Sequence, residues 1–502
     1  MKKLLIIMTR LPLKGETKSR LSDFLTVDQT QALSQYLLEM NYQRAKASQA
    51  DLCFWLTADQ AGYDLGDFLN LDQEAVFWQE GDSLGERMSR AIRDGFNRGY
   101  DQVALMGSDL YDLSTSQVDQ AFTYLDSCDL VLAPSLDGGY GLIGMSAYYP
   151  DLFALESYGH TSVLAATLSH ADQAGISYEL LPAIRDIDDK EDIAAILTGD
   201  PEATFLAQGE YNANFIFDQG RKLLRIALGS QLHLDQQIQY EYGALKALEA
   251  SGVTPKPLAL CDYHPLIGAG YLVEAFLPGR QLDYETDSQI AAELLAQIHQ
   301  QDPKQADHLI YAGQPFVVMY EEFETMFAHY RSWEGRSEEV TQRIQRLLDG
   351  LKVYDHSAQL VNPCIINTEL NAFNFLINPG DQSYVIDWEK PLIGEREQDL
   401  GHFLAPTTTL WKTDYLYDDQ SLESFIQAYD AHSPIAIDQA KLDQYLVFTC
   451  LRGLTWCAMA YVQYNKADKL ARNQETYQVI SRFLSTDFIQ MIEDYIAKRL
   501  PG

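Results

Sequence analysis

Two carboxylates and a carboxamide lie along one stretch of this chain at intervals that suit phosphoryl transfer. Glu369 stands in Ile366-Asn367-Thr368-Glu369-Leu370-Asn371-Ala372-Phe373-Asn374. The carboxamide, Asn374, follows five residues on, and Asp387 thirteen after that, closing the apolar Val385-Ile386. Moving a phosphoryl group calls for this set: a carboxylate to orient the attacking hydroxyl, then an Asn and an Asp to hold Mg²⁺ against the phosphates.

A second group of chemically capable residues lies near the start. The stretch Arg10-Leu11-Pro12-Leu13-Lys14-Gly15-Glu16-Thr17-Lys18-Ser19-Arg20 directly follows the apolar run Leu4–Met8. In an open α/β sheet, Arg10, Lys18 and Arg20 would then sit where the phosphates of a nucleotide lie. No G-x-x-x-x-G-K-[ST] occurs, so this is not a P-loop. Asp109 ends the run Val103–Met106, and Asp186-Ile187-Asp188-Asp189 supplies further carboxylates. Hard oxygen ligands that share Mg²⁺ with substrate phosphates are the expected arrangement. In Asp137-Gly138-Gly139-Tyr140-Gly141, the glycines permit close approach of backbone to a ligand, or form a plain tight turn.

The elements that must position these groups are of two kinds. Up to about residue 200, short apolar runs (Leu4–Met8, Leu52–Leu56, Val103–Met106, Leu130–Ala133, Leu142–Met145) alternate with helical periodicity, as in Thr26–Met40 and Leu84–Phe96. That order implies an α/β domain with a largely parallel sheet. Pro201 and Gly209 bracket a short connector. Beyond it, strands are expected over Asn214–Phe217, Lys222–Leu228 and Tyr271–Leu277, with a helix at Gln236–Ala250 between them. After Gly279 come long helices, Asp287–Gln300, Glu338–Leu351 and Leu442–Tyr464 among them.

Composition narrows the classes. A length of 502 residues exceeds one core and predicts two or three domains. Formal charge is −35, from 72 acidic and 37 basic residues, which argues against nucleic acid as a partner. Six scattered cysteines without a C-x-x-C pair indicate neither a zinc site nor a disulfide framework; reduced thiols in a cytoplasmic protein are the expectation. The apolar start stops at Met8 with no cleavage site after it, so it reads as a buried strand rather than a signal peptide. No apolar run is expected to span a membrane. The expected partners are small-molecule substrates, and oligomeric state is left open.

The first block, with Glu274–Gly279 and Gln398-Asp399-Leu400-Gly401, resembles the aminoglycoside phosphotransferase and choline kinase family over about residues 205–500. Asn367 and Glu369 replace the His and Asp of that family's loop. The resemblance implies a two-lobed protein-kinase-like domain using ATP and Mg²⁺ or Mn²⁺. Glu369 would be its base and Asn374 and Asp387 its metal ligands. Gly209–Asn214 would cover the phosphates, Arg225 would bind them with Glu241 as ion-pair partner, and Asp399 would be structural. An ordinary surface pair is the alternative for Arg225 and Glu241. With Glu369 and Asn367 in place, an active kinase and a nucleotide-binding pseudokinase both stay open. His299 reads as structural, and Trp411–Tyr415 as acceptor-pocket lining or as packing.

The N-terminal motifs, including Gln79–Met88 at a helix start, resemble the glycosyltransferase-A-fold family first named from arsenosugar biosynthesis, over roughly residues 1–197. By that resemblance Asp109 would be the catalytic metal or nucleotide carboxylate and Asp188 its metal partner. Arg10, Lys18, Arg20, Gly138 and Gly139 would face an NTP or a nucleotide sugar. Tyr111 stands where that family usually has proline. The whole chain is therefore expected to be α/β: a glycosyltransferase-A-like (nucleotide-diphospho-sugar transferase) domain over 1–200 fused to a kinase-like domain over 206–502. A bifunctional transferase follows, with kinase action on a hydroxylated acceptor and nucleotidyl transfer to the resulting phosphate. Glycosyl transfer at the first site, or nucleotide binding without turnover at both, are the alternatives.

Overall fold

The structure, a computed structural model, describes all residues except 156, 210, 467–472 and 501–502. It divides into two compact units, one of residues 1–220, 224–228 and 261–271, the other of 221–223, 229–260 and 272–502.

The first unit is built on seven strands: β1 (Lys3–Thr9), β2 (Asp51–Leu56), β3 (Ala75–Trp78), β4 (Gln102–Gly107), β5 (Leu130–Pro134), β6 (Tyr140–Met145) and β7 (Tyr178–Leu180). Their order across the sheet is β3-β2-β1-β4-β6-β5-β7. All run parallel except β6, which is antiparallel to β4 and β5. The reason lies in the connection: five residues between β5 and β6 can make a hairpin but not a crossover. Helices α1 (Val27–Lys46), α2 (Leu84–Asn97), α3 (Thr115–Tyr124), α4 (Val163–Ala174) and α5 (Lys190–Thr198) complete the unit. Strand β1 shows why the central runs are continuously apolar. Leu5 and Ile7 join a core with Leu38 and Tyr42 of α1 and Phe122 of α3, while Leu4 and Ile6 join another with Met88 and Ile92 of α2. A strand covered on both faces has no polar side to show.

A five-stranded sheet follows, of β8 (Thr204–Gln208), β9 (Asn212–Phe217), β10 (Lys222–Ala227), β11 (Pro257–His264) and β12 (Ala269–Ala275), ordered β11-β12-β10-β9-β8, with α6 (Gln237–Leu248) between β10 and β11 in sequence. Strand β8 corrects the expectation of a connector between Pro201 and Gly209. It is an edge strand, mostly exposed and with an irregular register against β9, so it carries no apolar alternation to read.

The second unit's remaining elements are β13 (Arg280–Gln281), α7 (Tyr284–Ile298), α8 (Pro315–Arg331), α9 (Glu338–Gly350), β14 (Cys364–Ile366), β15 (Phe375–Ile377), β16 (Tyr384–Val385), β17 (Leu392–Gly394), α10 (Arg396–Leu404), α11 (Pro406–Lys412), α12 (Asp419–His432), α13 (Gln439–Asn465), α14 (Gln474–Phe483) and α15 (Thr486–Ala497). Helix α13 is its spine. Phe316 of α8 packs against Tyr445 and Phe448 at ring separations of 4.5 and 4.8 Å. Contrary to expectation, α13 is long and apolar enough to cross a membrane, the one such helix among the described residues. Its apolar window is 72% buried inside the protein, which is what a core helix of this composition shows.

Candidate functional site

In the first unit, the chemistry-bearing residues gather at the C-terminal ends of β1, β4 and β5, where open α/β sheets bind ligands. Backbone pairing brings them there. Leu110 bridges to Asp186, Ser135 bridges to Ile184, and the Tyr111 N–H donates to the Arg185 carbonyl at 2.7 Å. The tyrosine in place of proline thus supplies a donor that ties the Asp186–Asp188 segment to the end of β4. Lys18, in the left-handed region at φ 50°, sends its nearly buried ammonium to Asp109 Oδ2 (3.0 Å), the Ile187 carbonyl (2.5 Å) and Asp188 Oδ1 (4.0 Å). Arg20 pairs with Asp188 at 2.8 Å. Arg10 does not join them; its guanidinium turns to Asp59. Burial, reinforced by Asp109, Asp137 and Asp188, pushes the Asp186 carboxyl up to about 7.

The β5–β6 turn accounts for its own glycines. Asp137 accepts from the Gly139 N–H at 3.0 Å and from the Ser135 hydroxyl. Gly138 has φ 91°, and a Cβ there would lie 2.2 Å from the Thr161 carbonyl oxygen. Among the described residues no group of three or more Asp, Glu, His or Cys is placed to cage a metal ion. The Lys18 ammonium lies between the Asp109 and Asp188 carboxylates, 3.0 and 4.0 Å from them.

The second site is a loop pinned from three sides. It leaves β14, which pairs with β17 in a two-stranded sheet, and ends at β15, which pairs with β13 and β16 in a separate one. Asp399, fully buried on α10, accepts the N–H groups of Asn367 (2.8 Å) and Thr368 (2.7 Å) and approaches His299 Nε2 at 3.3 Å. Thr368 takes φ 78°, a conformation rare outside glycine, and its hydroxyl donates to the Lys390 carbonyl at 3.0 Å. The Asn367 amide donates to the Asp387 carbonyl at 2.7 Å and accepts the Glu369 N–H at 3.2 Å. The residue in the histidine's place therefore orders the loop itself. Asn374 Nδ2 lies 3.4 Å from Asp387 Oδ2, and its Oδ1 accepts the Asn371 N–H at 2.8 Å. Asp387 also has positive φ, 67°. One carboxylate and one amide oxygen are hard donors that suit Mg²⁺ sharing its shell with phosphates and water.

Glu369 opens onto a cavity of about 760 Å³ within the second unit, with Trp411, Trp456 and Phe483 on its apolar wall. Lys390 Nζ is 2.8 Å from the Glu369 carboxylate, and the Arg452 guanidinium, from α13, is 3.5 Å away. Burial alone would raise this carboxyl, but Lys390 and Arg452 outweigh it and hold it below the usual glutamate range. His402 also lines the cavity; burial and Arg452 push it down to about 4, so it is neutral.

The loop spacing thus brings Asn367, Glu369, Asn374, Asp387 and Asp399 together. His299, between Tyr429 and Asp399, is buried structure, and Trp411, Lys412 and Thr413 line the cavity. Arg225 lies on β10 near Asn214 (3.5 Å), and Glu241 lies on α6, 2.8 Å from Gln237 Nε2. Gly209 begins the β8–β9 turn, its N–H bonded to the Asn212 carbonyl at 2.9 Å; Glu210 lies outside the described residues. Sequence reasoning missed Lys390, His402 and Arg452. Only Lys390 carried a local signal, a cation three residues after Asp387.

The profile of the Phosphotransferase enzyme family matches residues 202–453, half of the chain, and the chain belongs to that family. Residues 39–160 match a family described as "Uncharacterized protein conserved in bacteria (DUF2064)". No curated protein matches the sequence. Among solved structures, the N-terminal region is similar to a protein described as a nucleotide-diphospho-sugar transferase from Desulfovibrio desulfuricans, at 29% identity over 39% of this chain and 87% of that one, with a TM-score of 0.37. The C-terminal region is similar to one described as an aminoglycoside phosphotransferase from Ralstonia eutropha (19% identity, 62% and 98% coverage, TM-score 0.47). It is also similar to a spectinomycin phosphotransferase in complex with ADP and spectinomycin (13%, 62% and 98%, TM-score 0.46). The protein thus joins a region resembling a nucleotide-diphospho-sugar transferase to a kinase-like phosphotransferase domain.

Proposed function

We propose that the protein is a bifunctional transferase whose kinase-like domain phosphorylates a small hydroxylated acceptor with ATP. The observation that carries this is the Glu369 carboxylate, ionised and facing a 760 Å³ cavity from a loop pinned to Asp387 and Asp399. Glu369 accepts the acceptor's proton as the hydroxyl oxygen bonds to the γ-phosphorus of ATP; the bond to the β-phosphate oxygen breaks and ADP leaves. Asn374 and Asp387 would hold Mg²⁺ or Mn²⁺, which neutralises phosphate charge when bound. At the N-terminal site, the new phosphate ester attacks the α-phosphorus of an NTP and pyrophosphate departs, with Lys18 and Arg20 beside the phosphates and Asp109 and Asp188 as the carboxylates that a metal would join. ATP as co-substrate and six unpaired thiols fit a cytoplasmic enzyme.

Glycosyl transfer from a nucleotide sugar is the second reading of the N-terminal site. It is favoured by Arg10 turning away to Asp59, which leaves two cations rather than three for the phosphates. The test of the kinase step is Glu369→Gln, which keeps size and hydrogen bonding but not basicity. Losing a general base costs about 10²–10⁴-fold, so kcat for acceptor phosphorylation should fall that far while the KM for ATP holds. A variant that keeps wild-type kcat would refute the role of Glu369. Pyrophosphate release that needs no phosphorylated acceptor would break the coupling of the two sites.

A further inference from the structure

We propose that the acceptor is a hydroxylated molecule carrying one carboxylate and an apolar portion, the carboxylate meeting Lys412, the cavity cation that neither glutamate neutralises. This rests on the phosphotransferase reading above and gives that site its substrate class. The charge of the cavity carries it. In a chain of net charge −35, the charged residues lining this cavity are Lys390, Lys412 and Arg452 against Glu322 and Glu369. His402 adds no charge there. A polyamine acceptor would need carboxylates to pair its ammonium groups, and the two present already face cations. Glu369 lies against Lys390 and Arg452, and Glu322 lies 3.5 Å from Arg452. One positive charge is left over, that of Lys412, which one carboxylate neutralises; a phosphomonoester brings nearly two negative charges and overshoots.

The remainder of the wall accounts for the apolar portion. Trp411 meets Trp456 and Phe483 edge to face at 5.4 and 5.5 Å, and Trp456 stays 39% exposed. An exposed indole lining the same cavity as Lys412 suits an amphiphilic anion.

The experiment uses the full chain with Mg·ATP and matched sets of ligands on two scaffolds. One set is 3-phenyllactate, its primary amide and phenylalaninol; the other is glucuronate, glucose and glucosamine. Calorimetry reads affinity and ADP release reads turnover. The expected result is that the acid binds at least about tenfold more tightly than its uncharged and amine counterparts in at least one set, and that Lys412→Gln erases the preference while leaving uncharged-ligand affinity in place. Tightest binding by an amine, no advantage of the acid in either set, or no binding by any member would overturn the proposal. Acid-selective binding without ADP release would instead count against the phosphotransferase reading and leave this inference standing.

Discussion

Replacing Asp399 by Asn tests how the loop that carries Glu369 is held, independently of any substrate. In the wild type one carboxylate takes two buried N–H groups, those of Asn367 at 2.8 Å and Thr368 at 2.7 Å. An amide offers a single oxygen, so one N–H keeps a neutral acceptor while the other faces an NH₂. A hydrogen bond to a charged group contributes about 1.5–3 kcal/mol, and a buried donor left unpaired costs about 1–3 kcal/mol. The loss comes to about 3–5 kcal/mol, and it falls on a loop whose Thr368 already sits at φ 78°. Expressed locally, that is about 10²–10⁴-fold less protection from hydrogen exchange at residues 364–376, since about 1.4 kcal/mol is a factor of ten. Exchange at β1 and β4 of the first unit should not change. Protection that drops less than tenfold, or drops equally in both units, would refute the claim that Asp399 anchors this loop.

Two further outcomes are expected. His402 has its pKa depressed to about 4 in the folded protein, so the stability it contributes is complete above about 6.5 and is lost as pH falls from there toward 4, by at most about 3 kcal/mol; His402→Gln should narrow the gap between Tm at pH 8 and at pH 5, and an unaltered gap would count against it. Lys18→Gln removes the ammonium lying between Asp109 and Asp188, so Mn²⁺ affinity at the N-terminal site, followed by electron paramagnetic resonance, should rise by about 5–100-fold, as expected of 1–3 kcal/mol of charge-assisted bonding lost, while nucleotide affinity falls; unchanged Mn²⁺ binding would show that the lysine does not hold the cation's place.

What was legible in the sequence is what a short stretch of chain encodes. The interval from Asn367 through Glu369 and Asn374 to Asp387 survives folding because one loop and one hairpin carry all four residues. The central strands of the first unit were readable because both faces are buried; β3 and β8 were not, being edge strands whose side chains are mostly exposed. The partners of Glu369 illustrate the other limit. Arg452 lies on α13, more than eighty residues further along, and nothing around it marks the glutamate it meets. Arg10 was grouped with Lys18 and Arg20 by proximity in sequence, but the fold sends it to Asp59.

The cations that line the Glu369 cavity have a kinetic consequence. An anion approaching a molecule of net charge −35 is repelled at long range and attracted only near Lys390, Lys412 and Arg452. Salt screens distant charges more than close, partly enclosed ones, the Debye length being about 10 Å at 0.1 M. Moderate ionic strength should therefore speed the arrival of an anionic ligand while scarcely changing its departure. Capture would improve as salt is added, the reverse of what electrostatic steering produces in enzymes whose surface and site share a sign.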